Sequence, residues 1–64
     1  MDNKEYYVWQ ACALKAASGA IQKEILSVLR DKQMSAEHKL VAVKAMLVEQ
    51  GRIEVDYRKA MEQV

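Results

Sequence analysis

The sequence predicts an all-α fold, a long helical hairpin of about residues 3–31 and 36–63. Three observations predict it. Alanine, leucine, lysine, glutamate, glutamine and methionine dominate, with no proline and two glycines, a composition of helices and not of sheets and turns. Apolar residues recur at spacings of three, four and seven along two long segments. Polar residues punctuate the chain once, at Arg30-Asp31-Lys32-Gln33-Met34-Ser35.

The first helix begins at Asp2 or Asn3, either of which is a good N-cap, with Glu5 three residues after Asp2 in capping-box spacing. Its main stripe is Tyr7, Leu14, Ile21 and Val28, joined by Ala11, Ala17, Ile25 and Leu29. Gly19 lies inside this segment, and the stripe keeps the same phase on both sides of it. An unbroken helix is expected there, although glycine costs about 1 kcal/mol relative to alanine.

The second helix begins after Ser35, whose hydroxyl suits it to accept from the backbone N–H groups of the next turn. Glu37 places negative charge in that first turn, where the helix dipole favours it. Leu40, Val43, Met46, Leu47, Ile53, Tyr57, Ala60, Met61 and Val64 share one broad face. Gly51 marks the alternative, a three-helix bundle in which that glycine ends one helix as its C′ residue. Against it, no Ser, Thr, Asp or Asn stands just before Ile53 to cap a new helix, and the phase from Met46 through Ile53 to Tyr57 is continuous. Ile53-Glu54-Val55-Asp56-Tyr57 alternates like a strand, but an isolated strand has no partner here.

At 64 residues the chain is a single domain, 1–64. Such a short chain buries only about 60% of the surface its unfolded form exposes, so it needs outside support. Disulfides, a structural metal and oligomerisation are the usual forms of support. One cysteine, Cys12, cannot form an internal disulfide, and one histidine plus one cysteine fall short of four zinc ligands. No metal or cofactor is expected. Association remains, with a well-idealised monomeric bundle as its competitor.

The chain is 52% hydrophobic and 30% charged, too apolar for disorder. A net charge of +1 gives no strong pull toward nucleic acid or anionic membrane. A lone thiol points to a reducing, cytoplasmic setting. Residues 6–20 are mostly apolar and end in small residues, as a signal peptide does. Their leader Met1-Asp2-Asn3-Lys4-Glu5 is not net positive, however, and Gln10 and Lys15 interrupt the run, so cleavage is not expected. No run approaches the ~18 apolar residues of a membrane span.

Each helix carries apolar surface beyond its main stripe. On the first, Cys12, Ala13, Ala16, Gly19 and Ala20 are flanked by Val8, Trp9 and Leu26. On the second, Val41, Val48 and Val55 stand at seven-residue intervals. A helix apolar on more than one face is usually buried on more than one face. Two hairpins pairing into a four-helix bundle would use these surplus faces, and a two-fold dimer is the commonest soluble homo-oligomer. The plain alternative is that the alanines are helix formers and the valines scattered surface residues. The candidate interface residues are Trp9, Cys12, Ala16, Gly19, Val41, Val48 and Val55, with Trp9 the best anchor because tryptophan is enriched at binding hot spots. The opposing reading is a tryptophan covering the alanines of its own chain. Cys12 is expected to be a buried structural thiol, as free cysteines usually are.

Chemistry finds little footing. His38 between Glu37 and Lys39 reads as solvent exposed, and the spacing supplies neither an orienting carboxylate nor a nucleophile. The chain has no Gly-rich phosphate loop and no H-E-x-x-H. Lys15, Lys23 and Arg30 share a flank of the first helix, and Lys44, Arg52 and Lys59 a flank of the second. Adjoining flanks would make a modest basic patch for phosphates. Glu5, Glu37 and Glu62 interleave with these cations, as on a solvated mixed-charge face. The turn also reads as a helix-turn-helix, but only Glu37, His38 and Lys39 precede the apolar run of its presumed recognition helix. The sequence thus leads to a small non-enzymatic interaction module, a homodimer or a modulator or inhibitor docking on a larger protein. The alternative is a nucleic-acid-binding dimer.

Overall fold

A computed structural model describes residues 3–64 as two α-helices, α1 (Asn3–Arg30) and α2 (Ala36–Glu62). The helices end within one residue of the expected positions. Asp2 and its capping-box role lie outside the described residues. At 1.5 Å per residue the 28 residues of α1 span about 42 Å. The molecule measures 49 × 14 × 11 Å, so the two helices lie side by side along their full length. It is an antiparallel hairpin, not the crossed pair of a helix-turn-helix.

Short-range hydrogen bonds build the turn. The Asp31 N–H donates to the Val28 carbonyl at 3.2 Å, and the Asp31 carboxylate accepts from the Gln33 N–H at 2.8 Å, an Asx turn. Ser35 is extended (φ −67°, ψ 158°), and its Oγ accepts from the His38 N–H at 3.2 Å. The expected N-cap is therefore present. Lys39 Nζ reaches back 3.1 Å to the Leu29 carbonyl, one of the acceptors left without a helical partner at the end of α1. Glu5 and Glu37 occupy first turns and Arg30 and Lys59 last turns, each matching the helix dipole.

α2 runs through Gly51 without a break, so the described residues form two helices and not three. Neither glycine adopts a positive φ. Ile53–Tyr57 is helical as well.

The seam between the helices is narrow. Tyr7, Ala11, Leu14, Ser18, Ile21, Ile25 and Val28 face inward from α1, and Lys39, Val43, Met46, Gln50, Ile53, Tyr57 and Ala60 from α2; all are partly or fully buried. Their spacings alternate four and three, the 3.5-residue period of a coiled coil. Only Ala11 and Ala60 are fully buried among the described residues, at 5% and 3% exposure.

Five residues expected on the core stripes are instead exposed: Leu29, Leu40, Leu47, Met61 and Val64. Two helices cover only the row of side chains between them. The apolar stripes are wider than that row, and their overhang has nothing to pack on. Conversely, Ser18 and Gln50 sit in the seam although neither is apolar.

Candidate functional site

Cross-seam contacts fix the register. Gln50 Nε2 donates to Ser18, and Lys39 to Leu29, so each step up α1 is matched by one step down α2. Lys15 therefore stands within one residue of the level of Glu54, Val8 of Met61, Gln22 of Leu47, and Leu29 of Leu40.

These eight residues share one flank of the seam, because each follows a seam residue by one position. At the open end, Val8, Cys12, Lys15, Tyr57, Met61 and Val64 line an apolar groove of about 260 Å³. At the turn end of the same flank, Leu29, Ala36, Leu40 and Val43 line a second, also apolar. The opposite flank carries residues that precede seam positions, among them Gln10, Glu24, Glu49, Asp56 and Gln63. Its groove, lined by Tyr7, Gln10, Asp56, Lys59 and Gln63, is mostly polar. The hairpin thus has one broad face with an apolar groove at either end, the apolar broad face, and an opposite face that is mostly polar.

Within the apolar face, Lys15 Nζ lies 5.4 Å from the centre of the Tyr57 ring, a cation–π contact. The neighbouring Arg52 pairs with Glu49 at 2.7 Å and not with Glu54.

The structure divides the residues singled out from sequence among three surfaces. Cys12 and Gly19 border the apolar broad face. Trp9 and Ala16 occupy the outer edge of α1, and Trp9 is 67% exposed. Val41, Val48 and Val55 form a ridge along the outer edge of α2, with Val48 at 75%. One hairpin cannot present both edges to a single flat partner.

Cys12 is exposed, which corrects the expectation of a buried thiol. It lines the open groove on the flank of the seam, where two helices supply no third layer to cover it.

The basic residues do not converge. Lys15 lies in the apolar groove, and Lys59 lines the polar one on the opposite flank. Lys23 and Arg30 line a shallow outer pocket of α1 together with Asp31. Lys44 follows the seam residue Val43 and is exposed at the α2 border of the apolar broad face, and Arg52 is tied to Glu49.

No family model, curated protein or solved structure matches the chain. What the hairpin does must be read from its own surfaces. His38 is exposed in the first turn of α2, where its N–H serves the Ser35 cap. Among the described residues, no three of His, Cys, Asp and Glu gather as they would around a metal ion. Neither helix is long and apolar enough to cross a membrane.

Sequence reasoning missed the row formed by Val8, Leu29, Leu40, Leu47 and Met61 as a surface. The signal was present: in both helices an apolar residue repeatedly follows a seam residue. Reading it required assuming the narrow 3.5-residue seam in place of a broad 3.6-residue stripe.

Proposed function

We propose that this chain is a cytoplasmic protein-interaction module working through helix faces, as a homodimer or as a modulator docked on a larger protein. One observation carries the reading: among the described residues twelve large apolar side chains are exposed, while the fully buried core consists of two alanines. A free hairpin leaves that surface in water, and contiguous apolar patches of this kind mark interaction sites. Trp9 and the Val41–Val48–Val55 ridge supply contacts on the outer edges. Cys12, Ala16 and Gly19 offer small side chains that let another helix approach.

The reading is tested by sedimentation equilibrium at low micromolar concentration, together with partner capture by the wild type and by Ala16→Glu and Val48→Glu. Association, or capture lost on placing a charge on either edge, supports it. A stable monomer that binds nothing would remove it, and edge variants that behave as wild type in both assays would show the two outer edges to be plain surface.

A further inference from the structure

Resting on that reading, we infer that the apolar broad face is the self-association surface. A second copy packs on it face to face, about a two-fold axis parallel to the hairpin's length.

Surface area sets the scale. A compact folded chain of this mass exposes about 4,200 Å², whereas this hairpin exposes 5248 Å². The excess, about 1,000 Å², is comparable to the ~800 Å² each partner contributes to a standard interface. The radius of gyration agrees: 15.0 Å against about 11 Å for a compact chain of this length.

The pattern on the face selects the second copy as occupant and fixes its orientation. Along the face run an apolar layer of Val8 and Met61, a charged layer of Lys15 and Glu54, a mixed layer of Gln22 and Leu47, and an apolar layer of Leu29 and Leu40, with the exposed cations Lys44 and Arg58 at its α2 border. An axis along the hairpin sets α1 over α2 of the other copy at an unchanged level. Lys15 then faces Glu54 of the partner subunit, charges alternate around that layer, and the Val8–Met61 and Leu29–Leu40 layers meet their own kind. A perpendicular axis would instead press Glu54 against Leu47 of the partner subunit, partly desolvating the carboxylate with no cation of the second copy facing it. In the parallel arrangement all turns lie at one end and every adjacent helix pair is antiparallel, as in a four-helix bundle.

The glycines supply an independent indication. Gly19 and Gly51 both border this face at nearly the same level, and a Cβ added at either would meet nothing within 4 Å. No neighbour inside the hairpin requires a glycine at these positions, although it is among the poorest residues for a helix interior. Face-to-face packing brings Gly19 beside Gly51 of the partner subunit, where the absence of Cβ lets the backbones approach.

Sedimentation equilibrium of the full chain and its variants tests this, with helical circular dichroism confirming that each variant folds. The wild type is expected to dimerise. Leu47→Glu should weaken the dimer at least tenfold and Val48→Glu, on the outer ridge, should not. Lys15→Glu and Glu54→Lys should each weaken it similarly, and an equimolar mixture of the two should recover a heterodimer. With Cys12→Ser and a spin label at Gln33→Cys in the turn, the two labels should lie within about 30 Å, because all turns share one end. A wild type monomeric throughout, Leu47→Glu dimers as tight as wild type, a mixture that stays monomeric, or labels separated by the hairpin's length would each overturn the inference. Val48-dependent capture of another protein by a monomeric chain would overturn this dimer alone and leave the interaction reading standing.

Discussion

Gln50 on α2 reaches across the seam to Ser18 on α1, its Nε2 lying 3.4 Å from the hydroxyl and 3.5 Å from the carbonyl. The same nitrogen donates to Gln22 Oε1 at 3.0 Å. This polar layer is flanked by apolar ones, one turn from Leu14 and Ile21 on one helix and from Met46 and Ile53 on the other. Sliding either helix by a turn would strand Gln50 among aliphatic side chains. A polar residue at such a position specifies register at a cost in stability.

Replacing Gln50 with leucine is therefore expected to stabilise the helices and blur their alignment. The thermal midpoint should rise by a few degrees, since about 1 kcal/mol moves a domain of this size by roughly 4–8 °C. Amide spectra should at the same time broaden or multiply as neighbouring registers become populated. A variant with both a lower midpoint and a single sharp spectrum would show that Gln50 contributes stability and not alignment.

How far the sequence disclosed the molecule follows from which interactions are local. The Ser35 cap, the turn at Asp31 and both helix spans depend on neighbours a few residues away, and each was legible. The continuity of α2 through Gly51 was legible too, because the phase of Met46, Ile53 and Tyr57 survives the glycine. What failed was the width of the core. Leu29, Leu40, Leu47 and Met61 lie one residue beyond the seam, and whether that row is covered depends on how many helices surround it. A single sequence does not state that number. Ser18 and Gln50 were missed for a related reason: an apolar-stripe reading skips polar residues even when the spacing places them inside.

Ser35→Ala removes the hydroxyl that satisfies the His38 N–H. Loss of a serine N-cap typically costs about 1 kcal/mol, so urea unfolding should show that decrease with an unchanged m-value. Ser35→Asp should retain most of the stability, since a carboxylate caps the same N–H and favours the dipole. Equal losses in both variants would mean that the turn is held chiefly by Asp31 and Lys39.

Gly51→Ala separates the needs of the single chain from those of an assembly. Within one hairpin the new methyl meets open space, so alanine should stabilise α2 by up to about 1 kcal/mol through helix propensity. Measured below the association range, the midpoint should rise. If a second helix approaches at this point, the same methyl should weaken dimerisation. A variant that gains stability and associates as before would place Gly51 outside any close helix contact.

Cys12 reports directly on whether the apolar face is covered, because it is exposed in the lone hairpin and lines the groove beside Val8, Lys15 and Met61. A bulky neutral maleimide should label it readily in dilute solution, where single chains dominate. As concentration rises through the association range, the labelling rate per chain should fall several-fold, in step with the dimer fraction from sedimentation. Leu47→Glu, in which the face should remain uncovered, should label at the dilute rate throughout. A wild-type rate independent of concentration, in samples known to be associated, would place the contact on another surface, the Val41–Val48–Val55 ridge being the next largest apolar row.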